Sequence, residues 1–270
     1  KFVEVWQAKR LLWNLSSWAF RDPAEFEKIK PTLLELNIGG YNALQGKSYG
    51  EISAESRSMH KSQGFGSTGS RGVINDYFQH TLGAPAKSDL FEGINTSWSR
   101  VANSSKVQKS IEKAIASFNA ANPSLVVPDL LVARKELSQL PAGFWKTQKL
   151  KEIDEVIKSA LGLYMEATAG KASIVPGGNL DLKVEVINRS TIPVRITNIK
   201  FPYHSTDSVV NVSLEDSKAS RFTARVSVPQ NEEITQPYWL EKKDSLGLFF
   251  IKNQQDVGRP ERKPAAEVTT

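Results

Sequence analysis

The side chains that most often do chemistry in enzymes are few in this sequence and lie far apart. The histidines are His60, His80 and His204, and there is no cysteine. No histidine belongs to a His-x-x-His or His-x-x-x-His pair, and no Asp-Asp pair occurs. Because zinc sites are assembled from several such ligands at short spacing, we predict no metal site formed by this chain alone. The absence of cysteine also excludes thiolate and disulfide chemistry.

One polar segment, residues 48–66, combines side chains that could contact a ligand. Ser48, followed three residues later by Glu51, predicts a capping box at the start of a helix. Further along, helical spacing would bring several polar side chains together at the end of that helix. These side chains are Ser56, Arg57, His60 and Gln63. They could brace the helix end or face a ligand, and their spacing leaves both interpretations open.

Phosphate-binding patterns are absent or lack their structural context. The sequence has no Gly-x-x-x-x-Gly-Lys-Ser/Thr loop. Residues 63–66 contain a Gly-x-Gly, but it follows a predicted helix, whereas a dinucleotide-binding fingerprint follows a strand. We therefore expect neither kind of nucleotide site.

The elements within residues 1–100 must position the polar segment. The apolar run at residues 9–14 predicts a buried strand, and residues 37–42 are rich in turn formers. The helix that begins at Ser48 should end at Gly64 and Gly66. A second short helix is predicted over residues 72–82, with His80 near its C-terminus interacting with the helix dipole.

Residues 101–166 have the period of helices throughout. Ile111, Ile115 and Phe118 mark the inner face of one predicted helix, and Pro128 fits the first turn of the next. A third helix is predicted over residues 145–165. Short connections between these helices predict a small antiparallel bundle without chemistry of its own.

From residue 167 to residue 262 the period changes to two, as in strands. Apolar and polar residues alternate at residues 180–186, 192–196 and 222–228, and residues 246–251 form a continuous apolar run. Turn formers separate these runs. The pattern predicts an antiparallel β-sandwich of immunoglobulin-like type, followed by a polar tail or linker at residues 263–270.

Charge and hydropathy favour neither nucleic acid nor a membrane interior as a partner. The 270-residue chain has a net charge of +6, but its basic residues are spread along the sequence and matched by acids. A nucleic-acid binder usually concentrates them on one face. No apolar run approaches the ~20 residues of a membrane-spanning helix. We expect no nucleic-acid partner and no membrane span.

Residues 39–66 resemble a stretch of large multidomain bacterial proteins of the PIG-L (LmbE-like) N-deacetylase family. The similarity lies in Gly39-Gly40-Tyr41-Asn42, in residues 46–52 and in residues 56–66. Within the last of these, His60-x-Ser62-Gln63 is similar to a late helix of smaller deacetylases. Collinear matches follow at residues 89–98, 236–240 and 257–261, so the resemblance covers nearly the whole chain.

The resemblance implies an α/β (Rossmann-like) catalytic domain that holds zinc through two motifs. These are an Ala-His-Pro-Asp-Asp-Glu run and a later His-x-x-His-type pair, and neither occurs here. In such enzymes a metal-bound water attacks the N-acetyl group of an N-acetylglucosamine conjugate, with an Asp as general base. We therefore expect an α+β chain from which the first part of the catalytic domain is missing. Residues 1–100 would complete that domain, residues 101–166 would be a helical spacer, and residues 167–262 an accessory sandwich.

Two functions remain open at this point. In the first, the chain is part of a zinc-dependent hydrolase acting on an amino-sugar or glycan substrate, the metal being held by the missing N-terminal part of the same protein. This chain would then hold no zinc and be inactive alone. The residues that the resemblance places on the substrate side are Tyr41, Asn42, Tyr49, Arg57, His60 and Gln63. In the second, the chain is a non-catalytic glycan- or protein-binding module or scaffold.

Two further expectations follow from the resemblance. Family members of this multidomain type are typically exported, which favours the periplasm or the cell surface. The strand at residues 9–14 should lie at an exposed sheet edge, because its neighbours would belong to the missing part.

Overall fold

A computed structural model describes residues 5–64, 66–205 and 207–270. The chain divides into two compact units, which we call unit 1 (Lys1–Arg100) and unit 2 (Val101–Thr270). Both contain helices and antiparallel sheets, which confirms that the chain is α+β.

Unit 1 is built around an antiparallel sheet. Its elements are β1 (Arg10–Leu15), α1 (Pro23–Ile29), β2 (Leu34–Asn37), β3 (Tyr41–Asn42), β4 (Lys47–Ser48), α2 (Tyr49–Ser58) and β5 (Asn75–Gly83). The strand order is β1-β5-β2, and β3 pairs separately with β4. β1 therefore lies at one edge of the sheet, with β5 as its neighbour.

The prediction of a helix over residues 72–82 is wrong, because this part of the chain forms the strand β5. Tyr77 is paired with Leu15 on one side and with Glu35 on the other. The spacing of the apolar residues fits a helix, but pairing on both sides satisfies the backbone of this segment in the extended form. His80 is consequently a strand residue, and its Nε2 lies 2.8 Å from the carbonyl oxygen of Gly83.

The core of unit 1 is small. α1 packs on the sheet, with the Phe26 ring 5.6 Å from the Tyr77 ring in an edge-on arrangement. In the part of unit 1 that the structure describes, the buried hydrophobic side chains are Leu15, Phe26 and Ala54. Leu11 and Trp13 on β1 remain more than half exposed. The edge strand therefore presents apolar side chains to its surroundings.

Unit 2 begins with helices and continues with strands. Its elements are α3 (Ser105–Ala116), α4 (Val127–Ser138), α5 (Phe144–Ala160), β6 (Tyr164–Ala169), β7 (Asn179–Ile187), β8 (Val194–Ile199), β9 (Ser208–Leu214) and β10 (Ser220–Ser227). α4 packs against both α3 and α5. Pro128 lies in the first turn of α4, as predicted.

Two details of the helical prediction are wrong. The inner face of α3 is formed by Val107 and Ala114, whereas Ile115 is exposed, as is Phe118 beyond the helix end. The last helix stops at Ala160, because Gly162 adopts a left-handed backbone with φ of 58°. This glycine closes the helix C-terminus, and the chain continues from Tyr164 as β6.

The strands of unit 2 form two sheets that share one hydrophobic core. One sheet has the order β10-β7-β6, and β8 pairs with β9 in the other. Alternate residues of β7 are buried, as the period of two predicts. They pack with Ile196 and Ile199 of β8, Leu214 of β9 and Val226 of β10.

The apolar run at residues 246–251 does not form a buried strand. Gly247 has φ of 78°, and the N–H of Leu248 donates to the carbonyl oxygen of Ser245 over 3.1 Å. This tight turn leaves Leu246, Phe249 and Phe250 exposed. None of the helices in the described residues has the length and apolar character needed to cross a bilayer.

Candidate functional site

The start of α2 has the capping box that the sequence predicts. The Ser48 hydroxyl accepts a hydrogen bond from the backbone N–H of Glu51 (3.2 Å), and the Glu51 carboxylate accepts one from the backbone N–H of Ser48 (2.9 Å). Ser48 is only 4% exposed and also donates to the carbonyl oxygen of Ser70 (2.8 Å). These contacts tie the first turn of α2 to the chain that precedes β5.

Glycines allow the segments around α2 to approach each other closely. A Cβ at Gly39 would lie 2.0 Å from the carbonyl oxygen of Gly72, and one at Gly50 would lie 2.2 Å from the Ser70 hydroxyl. The backbone of Tyr49 adds a hydrogen bond to the carbonyl oxygen of Gly40 (2.9 Å). Residues 39–52 and 70–74 are therefore held against each other by backbone contacts. This close backbone approach explains the glycine content of the region.

Electrostatics reinforce the capping box. Hydrogen bonding from the Ser48 backbone N–H lowers the pKa of Glu51 below its usual 4.5, and the Ser48 hydroxyl and Arg71 lower it further. Arg71 Nη2 lies 2.7 Å from Glu51 Oε1. Glu51 is thus held as a carboxylate at neutral pH, near the positive end of the helix dipole.

The first three predicted substrate-side residues, Tyr41, Asn42 and Tyr49, lie near the N-terminus of α2. Tyr41 pairs with Ser48 across β3 and β4, and the Tyr41 and Tyr49 side chains are 68% and 55% exposed. The Asn42 side-chain oxygen accepts hydrogen bonds from Leu44 and Gln45 N–H groups and so closes the turn between these strands. The two phenols are therefore available to a ligand, while the Asn42 oxygen is engaged in the turn.

The other three predicted residues lie around the C-terminal end of α2. Arg57 is in the last turn of the helix, and His60 and Gln63 follow it. The predicted continuous helical face is wrong, because α2 ends at Ser58 and residues 61–63 form a separate 3₁₀ turn. The Nδ1 atom of His60 lies 3.0 Å from the Gln63 side-chain oxygen. The backbone N–H of His60 donates to the carbonyl oxygen of Arg57 (3.2 Å), so these residues remain neighbours. Phe65, which follows, lies outside the described residues.

The six predicted residues thus form two groups, one at each end of α2. Tyr49 and Arg57 are eight positions apart in a helix that rises about 1.5 Å per residue, so the two groups are separated by roughly 12 Å. A ligand that touches both must extend along α2. A small ligand would contact one group alone.

The pentapeptide at residues 46–50 has the Gly-x-Ser-x-Gly pattern of hydrolase nucleophiles. Its serine, Ser48, is the last residue of β4 and directly precedes α2. However, Ser48 is buried, its backbone is unstrained (φ −74°, ψ 158°), and its hydroxyl is engaged with Glu51 and Ser70. The pattern here serves to cap a helix.

Across residues 5–64, 66–205 and 207–270, no group of three or more His, Cys, Asp or Glu side chains is placed to hold a metal ion.

A second candidate region lies in unit 2, where two of the segments in the family resemblance meet. Tyr238 is buried, and its hydroxyl donates to the backbone carbonyl oxygen of Arg259 (2.9 Å). This bond joins residues 236–240 to residues 257–261, and Arg262, just beyond, pairs with Glu241 (3.4 Å). Sequence reasoning singled out both segments but assigned no site to them. The sequence features that could have pointed to a site are the aromatic pair that follows Pro237 and the arginine that precedes Pro260.

The sequence matches no family model and no curated protein. A solved structure of the Pseudomonas fluorescens alkylpurine DNA glycosylase AlkC, bound to DNA with an abasic site analogue, is similar over 47% of this chain and 45% of that chain. The sequence identity is 12% and the TM-score is 0.20. The chain therefore spans less than half of that glycosylase, and so low a TM-score carries no argument about fold or function.

Proposed function

We propose that this chain is part of a zinc-dependent hydrolase that removes N-acetyl groups from amino-sugar conjugates, with residues 39–71 forming one wall of the substrate site. The observation that supports this function is the braced α2. Its capping box and glycine contacts fix the backbone, while Tyr41 and Tyr49 are exposed at one end and His60 and Gln63 at the other. Amino sugars carry hydroxyl and amide groups, which phenol, imidazole and amide side chains can bind.

Unit 1 would form the edge of a larger Rossmann-like α/β domain. β1 lies at the edge of an antiparallel sheet with exposed Leu11 and Trp13, and an edge strand has backbone groups with which a further strand can pair. The zinc ligands would come from an N-terminal part of the same protein. Zinc bound there would supply an activated water, while this chain would bind and orient the sugar.

Unit 2 would be accessory to that reaction. Its two antiparallel sheets share a core, which supports an immunoglobulin-like sandwich. We place the whole protein in the periplasm or at the cell surface, where glycan conjugates are accessible.

The test compares this chain with a protein extended upstream through both metal motifs. Zinc content and acetate release from N-acetylglucosamine conjugates are measured for each. We expect zinc and turnover only in the extended protein. Stoichiometric zinc and turnover from this chain alone would contradict the proposal.

The role of the α2 region is tested in the extended protein. His60→Ala and Gln63→Ala should each lower kcat/KM by about tenfold, the worth of one hydrogen bond of roughly 1.4 kcal/mol to the substrate. His204→Ala is the matched control, because His204 is an exposed histidine of unit 2, and its kcat/KM should not change. Equal activity of the His60 and His204 variants would exclude a role of His60 in the site.

A second candidate function is glycan binding without catalysis. The observation that favours it is a hollow in unit 2 that Trp239 lines together with Pro237 and Pro264. All the residues that line this hollow belong to unit 2.

A further inference from the structure

The C-terminal segment of unit 2, residues 233–265, contains three adjoining hollows that we call the C-terminal groove. Their volumes are about 390, 270 and 410 Å³. Arg262 lines all three, and Gln236 lines two of them. The hollows therefore meet around Arg262, and each is close to or within the range of about 300–1,000 Å³ typical of ligand pockets.

Polar contacts hold together the chain segments that carry the groove. The Tyr238 hydroxyl bond to Arg259 anchors one wall to the other, and Arg259 Nε donates to the carbonyl oxygen of Gln255 (3.2 Å). The Arg262–Glu241 pair lies at the junction of the hollows, and its side chains are only 30% and 24% exposed. Segments that are already held together lose less conformational entropy when they bind a ligand.

The lining of the first hollow combines an apolar wall with polar groups. Trp239 lines it together with Pro237 and Pro264, and Gln236 and Glu261 provide an amide and a carboxylate. A sugar ring presents an apolar C–H face and a rim of hydroxyls. The first packs against an indole ring, and the second forms hydrogen bonds with amide and carboxylate groups.

The charges along the groove are mixed. The basic residues that line it are Lys242, Lys252, Arg262 and Lys263, and the acidic ones are Glu233, Glu241, Asp256 and Glu261. Basic and acidic groups are thus equal in number and interspersed. Such a surface has no net attraction for a polyanion, which favours an uncharged ligand.

We propose that the C-terminal groove binds an uncharged oligosaccharide, with Trp239 as the stacking surface and Gln236 as a hydrogen-bonding group. This inference names the ligand class for the second candidate function above and rests on it. It does not depend on deacetylase activity in unit 1. The adjoining hollows suit several linked sugar rings better than a single ring.

The test is isothermal titration of this chain with the hexasaccharide of N-acetylglucosamine. We expect saturable binding by the unaltered chain, and Trp239→Ala and Gln236→Ala should each weaken it at least about tenfold. Trp18→Ala is the matched control, because Trp18 is 85% exposed and lies in unit 1, and it should bind as the unaltered chain does. Gln236 is exposed, so its variant keeps the test valid if loss of Trp239 disturbs folding.

Three results would overturn the proposal. The first is no binding of the hexasaccharide by the unaltered chain at about millimolar concentration. The second is binding of sulfated polysaccharide alone, weakened by salt, which would indicate adsorption to a cationic surface. The third is hexasaccharide binding that survives Trp239→Ala and Gln236→Ala but is lost with His60→Ala. That outcome would place the sugar in unit 1 and leave the deacetylase proposal standing.

Discussion

Replacing Ser48 by alanine tests whether the capping box holds the candidate site together. The Ser48 hydroxyl accepts from the Glu51 N–H and donates to the Ser70 carbonyl oxygen, and the side chain is buried. Loss of a helix N-cap costs about 0.5–2 kcal/mol, and the Ser70 carbonyl loses a partner worth roughly 1 kcal/mol. We expect Ser48→Ala to lower the free energy of unfolding of unit 1 by about 1–3 kcal/mol.

The assay is urea unfolding followed by resolved backbone amide signals in NMR spectra. Signals of unit 1 should lose intensity at lower urea concentration, while those of unit 2 act as an internal reference. The matched control is Ser53→Ala, because Ser53 is an exposed residue in the middle of α2. Alanine at such a position should be neutral or slightly stabilising, by up to about 0.5 kcal/mol. Equal unfolding midpoints for the two variants would refute the view that Ser48 braces this region.

Three further outcomes are expected. Gly39→Ala should lower the free energy of unfolding of unit 1 by more than about 2 kcal/mol, because the new Cβ would lie 2.0 Å from the Gly72 carbonyl oxygen. The control is Gly40→Ala, whose Cβ would meet only the Tyr49 ring at 3.7 Å, and this variant should unfold in urea like the unaltered chain. Asn188→Ala should lower the free energy of unfolding of unit 2 by about 2–4 kcal/mol. Asn188 is 1% exposed, its side-chain oxygen accepts a hydrogen bond from the Ser190 hydroxyl, and its NH₂ group donates to the Ile192 carbonyl oxygen. Thermal unfolding measures the effect, and an unchanged Tm would contradict it. The lowered pKa of Glu51 means that its carboxylate stabilises the fold above its usual pKa of 4.5 and that this contribution is lost as pH falls through the folded value. Glu51→Gln should therefore reduce the acid sensitivity of unit 1, measured as urea midpoints at neutral and acidic pH, and an unchanged pH profile would exclude this role.

Local sequence patterns predicted those elements whose signals are self-contained. The Ser48–Glu51 capping box was found because its partners are three residues apart. The alternating pattern of β7 was found because one face of the strand is buried throughout. In both cases the residues that decide the structure are close together in the sequence.

Prediction failed where partners far away in the sequence decide the structure. Residues 75–83 satisfy a helical spacing, yet they form the central strand because β1 and β2 pair with them on both sides. The apolar run at residues 246–251 resembles a core strand, but no partner strand in the described residues pairs with it beyond the bridge between Ser245 and Leu248. Apolar composition alone could not distinguish these outcomes.

The candidate sites show the same division. Sequence patterns and the family resemblance pointed to residues 41–63 as candidate binding residues, and they marked residues 236–240 without assigning a site there. The three-dimensional structure places three of the first set near the start of α2 and three at or beyond its end at Ser58. The fold also brings Tyr238 into contact with Arg259, which is 21 residues further along the chain. The groove lined by Trp239 and Arg262 lies between these segments. The physical reason is that capping and period are short-range properties of the chain, whereas strand pairing and cavities depend on contacts between segments that the sequence keeps apart.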